Sequence, residues 1–189
     1  MRQTSVGFTI PDTGSLFALF ETPSSLPSTE RMHSAKRQFI LFLNSTGALA
    51  VKSSVSPGTV TDMITGIETS QPYLVELQYT VVAGSPHNTA NYTMNLTKLL
   101  TTGHSEFTAS VTGIDVHSTT GNGTTFEIST NSVDNMKMKY SSCILLEGTN
   151  ATHRAQCKEF LIKKWEGVET ETVAVPGAVS SKWLAEIRY

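Results

Sequence analysis

The stretch Pro72-Tyr-Leu-Val-Glu-Leu-Gln-Tyr-Thr-Val-Val82 decides the fold class. In an extended chain Tyr73, Val75, Leu77 and Tyr79 point one way and Leu74, Glu76 and Gln78 the other, the period-two signature of a strand with one buried face. The odd-numbered face is the apolar one and is read as core. Asn91–Leu96 downstream alternates again, and Phe107–Ile114 is a weaker strand candidate. Upstream, Gln38–Leu43 and Ala48–Val51 flank Asn44-Ser-Thr-Gly47, whose glycine suits a positive φ, so the pair reads as a hairpin. Leu16–Phe20 is a further strand. Val6–Ile10 precedes it and is stopped by Pro11-Asp12-Thr13-Gly14, whereas Glu21–Lys36, carrying Pro23 and Pro27, reads as a loop. Thr125–Ser129 follows the flexible Gly121-Asn-Gly123, and Tyr140–Glu147 is the last strong strand.

Composition points the same way. Charged residues are 16% of the 189, against about 25% in an average globular protein. Ser and Thr together make up about a quarter of the chain. β-Branched Thr loses rotamer freedom in a helix and suits a pleated surface, so a mostly β domain with a hydroxyl-rich surface is expected. The length fits one domain with a sizeable core. A net charge of −2 and a pI near 6.2 give no basic footprint for nucleic acid or anionic lipid. Apolar runs such as Phe39–Leu43 and Ile144–Leu146 are far shorter than the roughly 20 residues of a membrane helix, so no span is expected. The opening Met-Arg-Gln-Thr-Ser leads into a strand-like run without an apolar signal region, and no secretory leader is expected.

The period changes once. Between Gly148 and Trp165, Cys157, Phe160, Leu161 and Trp165 recur at helical spacing, with Thr149 or Asn150 as N-cap candidates. Lys163 and Lys164 fall in the last turn, where they complement the helix dipole, and Gly167 stands just beyond. This predicts one short helix near residues 150–165. Residues 168–189 form a tail that closes the sheet or meets a partner, and its aromatic Trp183 and Tyr189 are the candidate contacts.

Few residues invite chemistry. His33, His87, His104, His117 and His153 show no metal-ligand spacing, and the two cysteines form neither a disulfide framework nor a metal cage. His153 and Cys157 stand four apart on the helix, but Cys157 belongs to its apolar face, where a thiol is inert packing. A Cys143–Cys157 disulfide needs Cα atoms within about 7 Å, and the run Cys143-Ile-Leu-Leu146 leaves open which way Cys143 points. Five Asn-x-Ser/Thr sequons occur, at Asn44, Asn91, Asn95, Asn122 and Asn150. Asn44 and Asn122 lie in predicted turns and are the better N-glycosylation candidates; turn propensity of Asn explains the same positions without a glycan.

The succession Ser15-Leu-Phe-Ala-Leu-Phe20, Phe39-Ile-Leu-Phe-Leu43, Ser70-Gln-Pro-Tyr-Leu-Val-Glu-Leu-Gln-Tyr79 and Asn91-Tyr-Thr-Met-Asn-Leu96 resembles the strands of concanavalin A-like, laminin-G-like jelly-roll sandwiches. The final part is the most specific. Thr124-Thr-Phe-Glu-Ile128, then Ser142-Cys-Ile-Leu-Leu-Glu147, then Glu159-Phe-Leu-Ile-Lys-Lys-Trp165 are similar to the closing strand, strand and helix of many phage, viral and bacterial surface members. The resemblance spans roughly residues 5 to 167. It implies a single antiparallel jelly-roll β-sandwich over residues 1–189 with one short helix.

Glycanases on that fold carry a Glu-x-Asp-x-x-Glu carboxylate set on one strand, and none exists here. The helix-bearing members it resembles are mostly ancillary modules, so the resemblance implies no enzyme and no cofactor. Related domains often hold calcium with scattered oxygens; Asp62, Asp115, Asp134 and Asn135 are the candidates by chemistry, and loop solvation accounts for them without an ion. The expectation is a structural protein of a virion or similar particle, a minor capsid, fibre or tail component, whose partners are other particle subunits or itself. The alternative is a glycan-binding adhesion module of a larger surface protein. Either places the chain on a virion or an extracellular surface; a cryptic hydrolase ranks last.

Overall fold

The computed structural model describes residues 10–26, 29–35, 38–118, 127–128, 139–167 and 183–188. Within them, β1 (Thr13–Glu21), β6 (Pro72–Val82), β7 (Asn88–Leu99), β8 (His104–Val116), β10 (Lys139–Glu147) and β11 (Trp183–Arg188) form one sheet in the order β11-β10-β1-β6-β7-β8. A second sheet runs β5-β4-β3-β2-β9, built from β2 (Thr29–Ala35), β3 (Phe39–Asn44), β4 (Leu49–Lys52), β5 (Val60–Ile64) and β9 (Glu127–Ile128). Every neighbouring pair is antiparallel. The chain is mainly β, with one helix, α1 (Ala151–Trp165).

The two sheets share one core. Leu16, Ala18 and Phe20 of β1 and Tyr73, Val75, Leu77 and Tyr79 of β6 meet Phe39, Leu41 and Leu43 of β3 and Leu49 and Val51 of β4. The odd-numbered residues of β6 therefore face the core as the alternation predicts. Phe39 and Tyr79 bridge the sheets with ring centroids 5.2 Å apart, inside the range in which aromatic pairs add to area burial. Tyr92 donates its hydroxyl to the Gln38 carbonyl at 2.5 Å, and the Gln38 amide donates to the Ile10 carbonyl at 3.0 Å. Gly14 is required where it stands: a Cβ there would lie 2.6 Å from the Tyr79 hydroxyl and 2.7 Å from the Leu146 carbonyl oxygen.

The β3–β4 hairpin forms as expected. Gly47 takes φ +71°, and the Asn44 carbonyl oxygen of the side chain accepts from the Thr46 and Ala48 amides at 3.1 and 2.9 Å, so the side chain pins the turn. Two strands depart from expectation. The predicted Glu21–Lys36 loop contains β2, and the short β5 was not anticipated. Residues 6–9 of the expected first strand lie outside the described residues; Ile10 is buried in the core. At the far edge β11 pairs with β10 in the six-stranded sheet, Trp183 lying opposite Leu146 in register.

Candidate functional site

The six-stranded sheet has a second face, away from the core, and its two halves differ. Over β10, β1 and the start of β6, the outward residues Phe17, Leu19, Leu74, Ile144 and Leu146 are buried beneath α1, whose Cys157 and Leu161 pack among them with Phe160 and Ile162 alongside. Asn150 is the N-cap, its side-chain oxygen accepting from the His153 amide at 3.1 Å. Lys163 and Lys164 lie in the last turn, as expected. Trp165, which the helical spacing assigned to the apolar face, is instead 41% exposed, at the last residue of the helix.

An ionic seam borders the covered half. Glu76, only 8% exposed, faces Arg154 of the helix with Nε and Oε1 3.3 Å apart, an ion pair that lacks hydrogen-bond alignment, since neither atom has a hydrogen-bond partner. The other Glu76 oxygen accepts from Asn95 at 3.0 Å, and Asn95 in turn accepts from the Thr108 hydroxyl at 2.9 Å. Arg154 also donates to the Gln78 side-chain oxygen. Lys158 reaches Glu106 of β8 at 2.6 Å, so the helix is tied to the far strand along the rung of Leu74 and Thr97.

Beyond the seam, the outward residues of β6, β7 and β8 are amides and hydroxyls in register. Gln78, Thr93 and Ser110 make one rung, with the two hydroxyls 3.0 Å apart. Thr80 and Asn91 make the next. There β8 bulges so that Thr112 and Gly113 stand opposite Asn91, and the Gly113 amide, at φ +73°, donates to the Asn91 side chain at 3.1 Å. Gln78, Thr80, Asn91, Thr93, Ser110 and Thr112, with Thr149 at the helix start, line an open groove of about 170 Å³. Its two tyrosines, Tyr79 and Tyr92, turn their rings into the core, and burial pushes both phenols well above their ordinary range, so they stay neutral. The groove can exchange hydrogen bonds with an uncharged polar partner; among its lining residues there is no carboxylate, thiol or imidazole.

The residues expected from sequence to carry chemistry scatter. Cys143 lies in the inter-sheet core and Cys157 under the helix, on opposite faces of the same sheet, and both thiols are free, which corrects the candidate disulfide. The register explains it: Cys143 pairs with Ala18, an inward residue, and paired residues share a face. Burial pushes the Cys157 thiol up to about 12, with the Glu76 carboxylate adding to the effect, and raises Cys143 further, so neither is a poised nucleophile.

Asn44, a candidate glycan acceptor, spends its side-chain nitrogen on Asp62 at 2.9 Å, and that bond also engages the calcium candidate. Asp115 lies in β8, and no group of three potential metal-ligating side chains occurs among the described residues. Asn122, Asp134, Asn135 and Tyr189 fall outside the described residues. The polar groove and Arg154 were not singled out from sequence. The available signal was the switch along the even positions of β6 from Leu74 to Gln78 and Thr80, which marks where apolar cover stops.

No protein-family model and no curated protein matches this chain. Among the described residues no helix is long and apolar enough to cross a membrane.

Proposed function

We propose that the chain is a non-enzymatic structural component of a virion or similar particle, built on a concanavalin A-like jelly-roll sandwich and exposed on the particle or an extracellular surface. The observation that carries this reading is the bare half of the outer face. Three in-register strands present amides and hydroxyls on a broad surface bounded by β8, a 13-residue strand at the edge of its sheet. A flat polar face beside an edge strand suits packing against a neighbouring subunit, where many hydrogen bonds set geometry and no deep pocket is needed. Quantitative mass spectrometry of purified particles tests it. Fixed stoichiometry across preparations supports the reading, and absence of the chain from every particle fraction ends it.

A second reading, glycan recognition by an adhesion module, draws on the groove itself, since Gln78, Asn91, Thr93 and Ser110 offer the mixed donors and acceptors a sugar requires. It ranks second because the groove's rings turn inward, leaving the apolar face of a sugar nothing there to stack on. A glycan array on the isolated chain, repeated with Thr93→Val, separates the two: saturable binding that the variant loses favours the module.

A further inference from the structure

We infer that a second depression, separate from the polar groove and independent of the function proposed above, binds an oxyanion through Lys52. It is an open hollow of about 320 Å³ between the β4–β5 loop and the chain leaving β8, lined by Lys52, Ser53, Ser54, Ser56 and His117 with Ile40 at its base.

Its walls are held in place. Ser53 donates its amide to the Thr59 carbonyl at 2.8 Å, and its hydroxyl both donates to the Val55 carbonyl and accepts from the Val55 amide, at 3.1 and 3.2 Å. The loop is joined to the other wall by two bonds: the Ser54 amide donates to the Asp115 carbonyl at 3.2 Å, and the Ser54 hydroxyl oxygen accepts from the His117 amide at 2.9 Å. That second bond uses a lone pair of Ser54 and leaves its O–H proton to donate elsewhere.

The charge makes the hollow selective. Lys98, Lys139, Lys158 and Lys163 each sit against a glutamate. Lys52 has no carboxylate within ion-pair distance among the described residues; its ammonium lies 5.6 Å from the centroid of the Phe42 ring, and its stem runs so close to Gly58 that a Cβ there would sit 2.7 Å from Cε. Gly58, at φ +77°, leaves room for that stem. No Asp or Glu lines the hollow. A fixed cation, two serine hydroxyls and an imidazole around a space larger than a single ion needs are complementary to a sulfate, phosphate or carboxylate group carried on a small molecule such as an acidic sugar.

The test is a 15N–1H NMR titration of the full chain at constant ionic strength with three probes: sodium sulfate, N-acetylglucosamine 6-sulfate and unmodified N-acetylglucosamine. Saturable shifts at Ser53–Gly58 and His117 with the first two probes and not the third are expected. A tighter response to the sulfated sugar than to sulfate would identify a sugar-borne anion, and an equal one the free ion. Lys52→Gln should weaken the response about tenfold, the loss of one charge-assisted contact, while Lys52→Arg retains it and Lys139→Gln leaves it unchanged. The inference is overturned if none of these amides saturates in the millimolar range, or if Lys52→Gln responds as the parent does.

Discussion

The outer face of the six-stranded sheet is two surfaces on one scaffold. Under the helix, Phe17, Leu19, Leu74, Ile144 and Leu146 make a second core; farther along β6 and across β7 and β8, Gln78, Thr93, Asn91 and Ser110 make a hydroxyl and amide face. The backbone is the same antiparallel ladder in both. The difference lies in which residues occupy the outward parity, and it sets the division of labour: β1 and β10 are sealed on both faces and carry stability, whereas the outward Asn91 and Thr93 of β7 and Ser110 and Thr112 of β8 are left to meet a partner. Glu76 and Arg154 stand on the line between them, where desolvation by the helix ends.

The comparison breaks most readily on the covered side. Leu161 is fully buried among Phe17, Ile144 and their neighbours, so Leu161→Ala should cost about 2–5 kcal/mol in urea unfolding. A loss under about 1 kcal/mol, the level of an ordinary surface or mildly buried change, would mean that the helix is not part of the cooperative core. On the border, Glu76→Leu strands the Arg154 guanidinium and should cost about 3 kcal/mol, whereas Glu76→Leu combined with Arg154→Leu should recover much of it, because the uncompensated charge is then gone. Equal losses in the single and double variants would show that the seam is packing alone. At the start of the helix, Asn150→Ala removes the cap and should cost about 1 kcal/mol, read by the same unfolding measurement.

The two surfaces were unequally legible in sequence. Alternation in β6 placed Tyr73, Val75, Leu77 and Tyr79 in the core because one inward face is a local property of a strand. Cys143 could not be placed, since a strand buried on both sides shows an unbroken apolar run and parity carries no sign; only its pairing with Ala18 resolves it. β2, Thr-Glu-Arg-Met-His-Ser-Ala, has no apolar alternation to announce it and is held by its neighbours β3 and β9. β5 is short, and its Val60 is 46% exposed. The Glu76–Arg154 seam joins residues from a strand and a helix far apart in the chain, a contact that no local pattern encodes. The hydroxyl face was visible as composition, but not as one patch.

The smallest effect on stability is the most informative about that patch. Thr93 and Ser110 share a hydroxyl contact at 3.0 Å on the exposed side of β7 and β8, so Thr93→Val with Ser110→Ala removes both hydroxyls without opening a cavity, and the fold should change by less than about 0.5 kcal/mol. If the bare half is a contact surface, the same pair of changes should sharply lower incorporation into particles, or glycan retention if the second reading holds, at unchanged unfolding midpoint. Full incorporation with both hydroxyls gone would leave the polar rungs as solvated surface and shift the search for the partner to the edge strand β8. The covered half permits no such separation, because there any change large enough to alter a surface also unfolds it.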